Sequence, residues 1–152
     1  FEDGIPADWA QMIDVNLRGV LYAAQAFAES LLQTAGHGDP ADLVFIGAAG
    51  AHVAHPRFAV FNAVSAAITQ LSRTLRQEYG PRGLRVHTVE PGFVATEFGR
   101  RHPNGVTEYE AQLSRIRRPV SPEAVAALVA AAVALPANVN LAELIVVPTE
   151  LG

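Results

Sequence analysis

The chain has 152 residues, half of them apolar, and a formal net charge of −4 in which arginine supplies every positive side chain because lysine is absent. That length suits one compact domain, residues 1–152, and is too short for two, while the mild acidity argues against a nucleic-acid partner. No cysteine is present, which excludes disulfides and thiolate metal sites and fits a cytoplasmic protein.

In chain order, residues 1–5 read as a lead-in loop with no signal-peptide pattern. The chain begins on Phe1 rather than Met, so a piece of something longer is one expectation. Pro6 suits a first helical turn, and Trp9, Met12, Ile13, Leu17, Val20, Leu21, Ala24 and Phe27 recur at helical spacing over residues 6–33. The turn-rich Gly36-His37-Gly38-Asp39-Pro40 breaks that helix. The short apolar run at 43–46 reads as a buried parallel strand.

A loop carrying His52 and His55 leads to a second helix over 58–79, with Val60, Val64, Ala67, Ile68, Leu71 and Leu75 on one stripe. Gly80-Pro81 is expected to stop it. Residues 84–89 alternate apolar with polar in the manner of a strand. A turn at Glu90-Pro91-Gly92-Phe93-Val94-Ala95-Thr96 opens a long stretch to Pro119 that contains arginine and has no assigned element. Ser121-Pro122-Glu123 starts a helix to about Leu135, apolar on nearly every face and so expected to be covered on both sides. The apolar run there, about 124–137, falls short of a membrane span. A last strand falls at 144–147.

This order predicts an α/β unit with a parallel sheet of about three strands and flanking helices. Three segments sharpen it: Asp14-Val15-Asn16-Leu17-Arg18-Gly19 in the first helix, Ile46-Gly47-Ala48-Ala49-Gly50 leading to Phe61-Asn62-Ala63-Val64-Ser65-Ala66-Ala67, and Val89-Glu90-Pro91-Gly92-Phe93-Val94-Ala95-Thr96. Together they resemble the second half of the short-chain dehydrogenases/reductases, where the motifs run D-V-N-L-x-G, I-S-S-x-A-G to Y-N-A-S/T-K-A-A, and V-x-P-G-x-x-x-T. The resemblance implies a partial Rossmann-like, doubly wound unit whose first, cofactor-binding half is absent.

It also implies a site. The family's asparagine is retained as Asn16, but its serine falls on Ala48, its acid/base tyrosine on Phe61 and its lysine on Ser65. A phenyl ring has no proton to give, an alanine has no donor, and Ser65 brings no charge to stabilise a phenolate. None of Tyr22, Tyr79 and Tyr109 has a lysine four residues later. Pro91, Gly92, Val94 and Thr96 correspond to the turn that meets the nicotinamide end of the cofactor. The glycine-rich T-G-x-x-x-G-x-G phosphate turn of the family's first half does not occur, so no cofactor is expected on the isolated chain, with NAD(P) implied where an N-terminal half is present.

His52, His55, Phe58 and Phe93 fall where a substrate pocket would lie. Either histidine reads as a replacement acid/base or as a loop residue without a task; a zinc pair lacks an evident third ligand, and no metal is expected. The arginines at 100, 101, 115, 117 and 118 read as an anion clamp or as a solvated face. Glu90 needs no special role. The strand at 43–46 lacks the neighbour it has in relatives, so its edge should pair with another chain. Relatives build a dimer's four-helix bundle from the helices matching 6–33 and 58–79, and both stripes are intact. The expected partner is a second copy or a complementary N-terminal half, with no membrane. Two functions stay open: a non-redox scaffold or partner subunit, and an NAD(P)-dependent or altered-chemistry enzyme whose cofactor half comes from elsewhere.

Overall fold

The computed structural model describes residues 1–98 and 106–151. Its elements are α1 (Pro6–Ile13), a π-helical turn (Asp14–Arg18), α2 (Gly19–Gly36), β1 (Asp42–Ile46), α3 (Ala59–Tyr79), β2 (Arg85–Pro91), α4 (Val106–Leu113), α5 (Pro122–Val133) and β3 (Glu143–Val146). The strands form a parallel sheet in the order β1-β2-β3, with Asp42 opposite Arg85 and Ile46 opposite Val89 on one side of β2. Thr88 stands opposite Glu143 and Pro91 opposite Val146 on the other. Among the described residues β1 pairs with β2 alone, so its outer edge is open, as its lone apolar run implies.

The helices follow their local chemistry. Ser121 caps α5, its hydroxyl accepting from the Ala124 amide at 3.1 Å, and Pro122 takes the first turn, where an amide would be unpaired anyway. The long first helix is a single run of helical backbone broken by the π-turn at Asp14–Arg18, which widens the ladder by one residue at the D-V-N-L-x-G segment. α3 ends at Tyr79, directly before Gly80-Pro81 as expected, but Gly80 is not a left-handed cap: its backbone stays right-handed (φ −55°) and enters a short 3₁₀ turn. The left-handed residue is Gly83 (φ 86°), where any side chain would be strained. The unassigned stretch before Pro119 contains α4, whose eight residues are too few for a periodic signal to stand out.

The main core lies between α2, α3 and the sheet, where Ala24, Ala41, Phe45, Ile68, Leu84 and Val86 are buried and Leu17, Val20, Leu31, Leu71 and Leu75 pack around them. Leu84 and Val86 are fully enclosed, each worth about 1.5–3 kcal/mol relative to exposure. The alternation at 84–89 suggests one wet face, yet β2 is central and covered on both sides, so Arg85, His87, Thr88 and Glu90 are all buried. Such groups must find partners inside.

At the N-terminal end of the sheet they do. Arg85 Nη2 donates to Asp42 Oδ2 at 2.8 Å and its Nε lies 2.7 Å from Oδ1. The same guanidinium donates to the carbonyls of Val133, Leu135, Pro136 and Val139, which ties the C-terminal end of α5 to the sheet. His87 bridges Asp42 Oδ1 at 2.8 Å and the Leu141 carbonyl at 2.9 Å. The apolar α5 is not covered on both sides, since Ala132 is its one buried residue. Half of its residues are alanine, which lengthens the apolar run without presenting much area to bury.

Candidate functional site

At the opposite end, β1 stops at Ile46, β2 at Pro91, and α3 begins at Ala59. The loops that leave these ends enclose a cavity of 350 Å³, within the range of small-molecule pockets. Two glycines let the walls close. A Cβ at Gly47 would stand 3.2 Å from Glu90 Cγ, and one at Gly50 would stand 2.5 Å from Asn62 Oδ1.

The wall is a closed circuit of six rings. His55 lies 6.4 Å from Phe58, Phe58 6.4 Å from Phe61, and Phe61 5.3 Å from Phe98. Phe98 lies 5.2 Å from Tyr109, Tyr109 5.5 Å from Phe93, and Phe93 5.9 Å from His55. Most of these contacts are edge-on, the arrangement that ring quadrupoles favour. The phenol of Tyr109 donates to the Val94 carbonyl at 2.9 Å, and burial pushes its pKa up, so it is a poor proton donor to anything in the cavity.

The lining includes Ala48, Phe61, His55, Phe58, Phe93 and the turn residues Pro91, Gly92, Val94 and Thr96. Three expected site residues stand outside it. Ser65 is buried one turn beyond Phe61 and its hydroxyl donates to the Phe61 carbonyl at 2.9 Å. Asn16 is exposed on the π-turn. His52, expected in the pocket, is turned away from it: its Nε2 lies 2.8 Å from Glu90 Oε2. That bond decides its direction, because Glu90 is fully buried and needs polar partners. Thr69 donates to the other carboxylate oxygen. Glu90 therefore has a task that its place before the Pro-Gly turn does not reveal.

Possible ligand atoms of His52, Glu90 and Glu143 lie within 4.8 Å of one another. Glu143, however, is gripped by Arg73 through bonds of 2.7 and 2.8 Å, with Arg76 Nη1 3.7 Å away. The arginine bond holds the Glu143 carboxyl below the usual carboxylate range, and the negative charge that would draw a cation is already balanced. Of the arginines in the lid region, 100 and 101 lie outside the described residues. Arg117 is exposed, with its amide donating to Glu150 at 3.1 Å.

Phe98, Tyr109 and Glu90 complete the site and were not legible as such beforehand. Phe98 and Tyr109 are well apart in the chain, and chain distance carries no signal of ring contact. The family model described as enoyl-(acyl carrier protein) reductase matches residues 1–140. The chain belongs to the short-chain dehydrogenase/reductase family. It is 34% identical over 143 residues to sulfoacetaldehyde reductase 2 of Chromohalobacter salexigens, covering 94% of this chain and 56% of that protein. It is 29% identical over 123 residues to (3R)-3-hydroxyacyl-CoA dehydrogenase of Rattus norvegicus, covering 81% and 46%. Among solved structures, the closed form of serine dehydrogenase complexed with NADP+ superposes with a TM-score of 0.86 at 27% identity, covering 98% of this chain and 59% of that one.

The chain thus spans about half the length of the curated relatives it matches. The turn that the family resemblance assigns to the nicotinamide end of the cofactor lies on the cavity, with Pro91, Gly92, Val94 and Thr96 in its lining. The phosphate end has no counterpart in these 152 residues, which lack the glycine-rich turn. No described helix is long and apolar enough to cross a membrane.

Proposed function

We propose that this chain is a short-chain dehydrogenase/reductase unit, one α/β domain over residues 1–152, that has given up hydride transfer and serves as a scaffold or partner subunit. The observation that carries this reading is Phe61, a ring without a proton standing in the cavity wall at the family's tyrosine position. Ala48 beside it offers no donor, and Ser65 spends its hydroxyl on its own helix. General acid catalysis needs a donor within hydrogen-bond reach of the reacting oxygen, and neither position supplies one. The surfaces for partnership are the open edge of β1, where Ile46 is 57% exposed, and the part of α2 beside it that carries Phe27, 64% exposed. A second copy or a complementary N-terminal half would cover both.

The test is activity, before and after restoring the lost groups. The wild-type chain is expected to bind NADH and NADPH weakly and to oxidise neither in the presence of ketones or aldehydes, followed by nicotinamide absorbance. The triple variant Ala48→Ser, Phe61→Tyr, Ser65→Lys should stay inactive alone and turn over only when a complementary cofactor-binding half is added. Wild-type turnover, or low-micromolar dinucleotide affinity of the isolated chain, overturns the reading. Light scattering that finds a single 16.1 kDa species with a cooperative melt overturns the partnership.

A further inference from the structure

We propose that residues 48–57 form a strap that the His52–Glu90 bond holds closed against backbone strain stored at Arg57. The strap joins two rigid anchors. At one end the Gly47 amide donates to the Val89 carbonyl at 2.8 Å, and at the other α3 begins at Ala59. Arg57, two residues before α3, has φ 71°, and among the described residues no other non-glycine residue is left-handed. A β-carbon crowds the backbone in that region, and arginine lacks the short polar side chain with which Asn or Asp offsets the cost. Arg57 is also exposed, so its own packing does not impose the conformation. The rest of the strap does.

The middle of the strap supplies the holding force. His52 Nε2 lies 2.8 Å from Glu90 Oε2. Glu90 is fully buried and Thr69 bonds its other oxygen, so release of His52 takes a partner from a buried carboxylate. Nearby cations are already engaged: Arg73 by Glu143, and Arg76 by the carbonyls of Val86 and Ala142. The Asn62 amide donates to the Val53 carbonyl at 3.3 Å, a long bond and a weaker tie. With His52 released, Arg57 can return to right-handed backbone and the strap swings away from the sheet. Ala48, Gly50 and His55 of the cavity lining ride on it, so opening dismantles one wall. This device is independent of whether the cavity carries redox chemistry.

The test is amide hydrogen exchange of the full chain, which reads local opening. The strap is followed at Ala51 and Phe58, whose amides donate to the Ala48 and His55 carbonyls; β2 is followed at Arg85 and Thr88, bonded to the Ala41 and Ala142 carbonyls. His52→Ala should speed the strap amides about tenfold or more and leave β2 unchanged. His52→Gln keeps a donor of similar reach and should restore most of the protection. Arg57→Gly relieves the strain and should slow the same amides a few-fold. The double variant His52→Ala, Arg57→Gly should fall between the two singles. Unchanged strap exchange in His52→Ala overturns the latch, and unchanged or faster exchange in Arg57→Gly overturns the stored strain. Equal acceleration at Arg85 and Thr88 would make His52 an ordinary stabilising contact and overturns the strap as a separate unit. Should His52→Ala fail to fold, Arg57→Gly on the intact latch decides alone, by the same criterion.

Discussion

The two ends of the sheet are built from opposite materials. The N-terminal end holds a buried arginine and histidine that share the partly exposed Asp42 and bond carbonyls at and beyond the end of α5. The C-terminal end holds six rings and an unfilled cavity. In an α/β sheet the ligand end is the C-terminal one, so here the charged, titratable cluster is structural and the apolar end is the site. The lesson is that a dense buried polar network marks a function only if something is left for a ligand to satisfy. Arg85 is held by Asp42 and by four backbone carbonyls, whereas nothing in the described chain fills the cavity.

The contrast can be broken at several points, the first with the largest effect. Asp42→Ala leaves the Arg85 guanidinium, whose side chain is 5% exposed, without its counter-charge, and should cost about 3–5 kcal/mol in urea unfolding. A loss under about 1 kcal/mol would mean that the carbonyls past α5 hold the arginine unaided. At the other end, Thr69→Val is nearly isosteric and removes a hydroxyl that donates to fully buried Glu90. It should cost about 1–3 kcal/mol in urea unfolding, although neither residue lines the cavity.

Phe98→Ala tests whether the ring wall is core: with 41% of its surface in water, its removal should cost about 1 kcal/mol or less. A large melting shift would make the ring wall a core element and blur the two ends. The smallest effect belongs to Glu143→Gln. The Arg73 bond lowers the folded-state pKa of Glu143 below its ordinary 4.5, so the stability it contributes is present above pH 4.5 and is lost as pH falls through the lowered folded value. Acid titration should therefore show wild-type stability falling more steeply than the variant's below pH 4.5, and screening of this partly exposed pair keeps the difference small. Parallel acid curves would show that the pair contributes nothing.

The sequence by itself determined the order of the elements other than α4, the parallel three-stranded sheet and the family, because the three motifs sit on short segments whose spacing survives any detail of packing. It also placed nine of the residues that line the cavity, from Ala48 to Thr96, since strand ends and the first turn of the next helix converge in this topology. Only the tertiary structure decided the rest. Glu90 and His52 were readable as a spare polar residue and a pocket histidine; burial of both faces of β2 forced the one inward and drew the other to it. Phe98 and Tyr109 joined the ring wall through contacts between segments far apart in the chain, which no local pattern encodes. The alternation of β2 implied a wet face, and its central position in the sheet denied it one, because accessibility belongs to the neighbours of a strand and not to the strand.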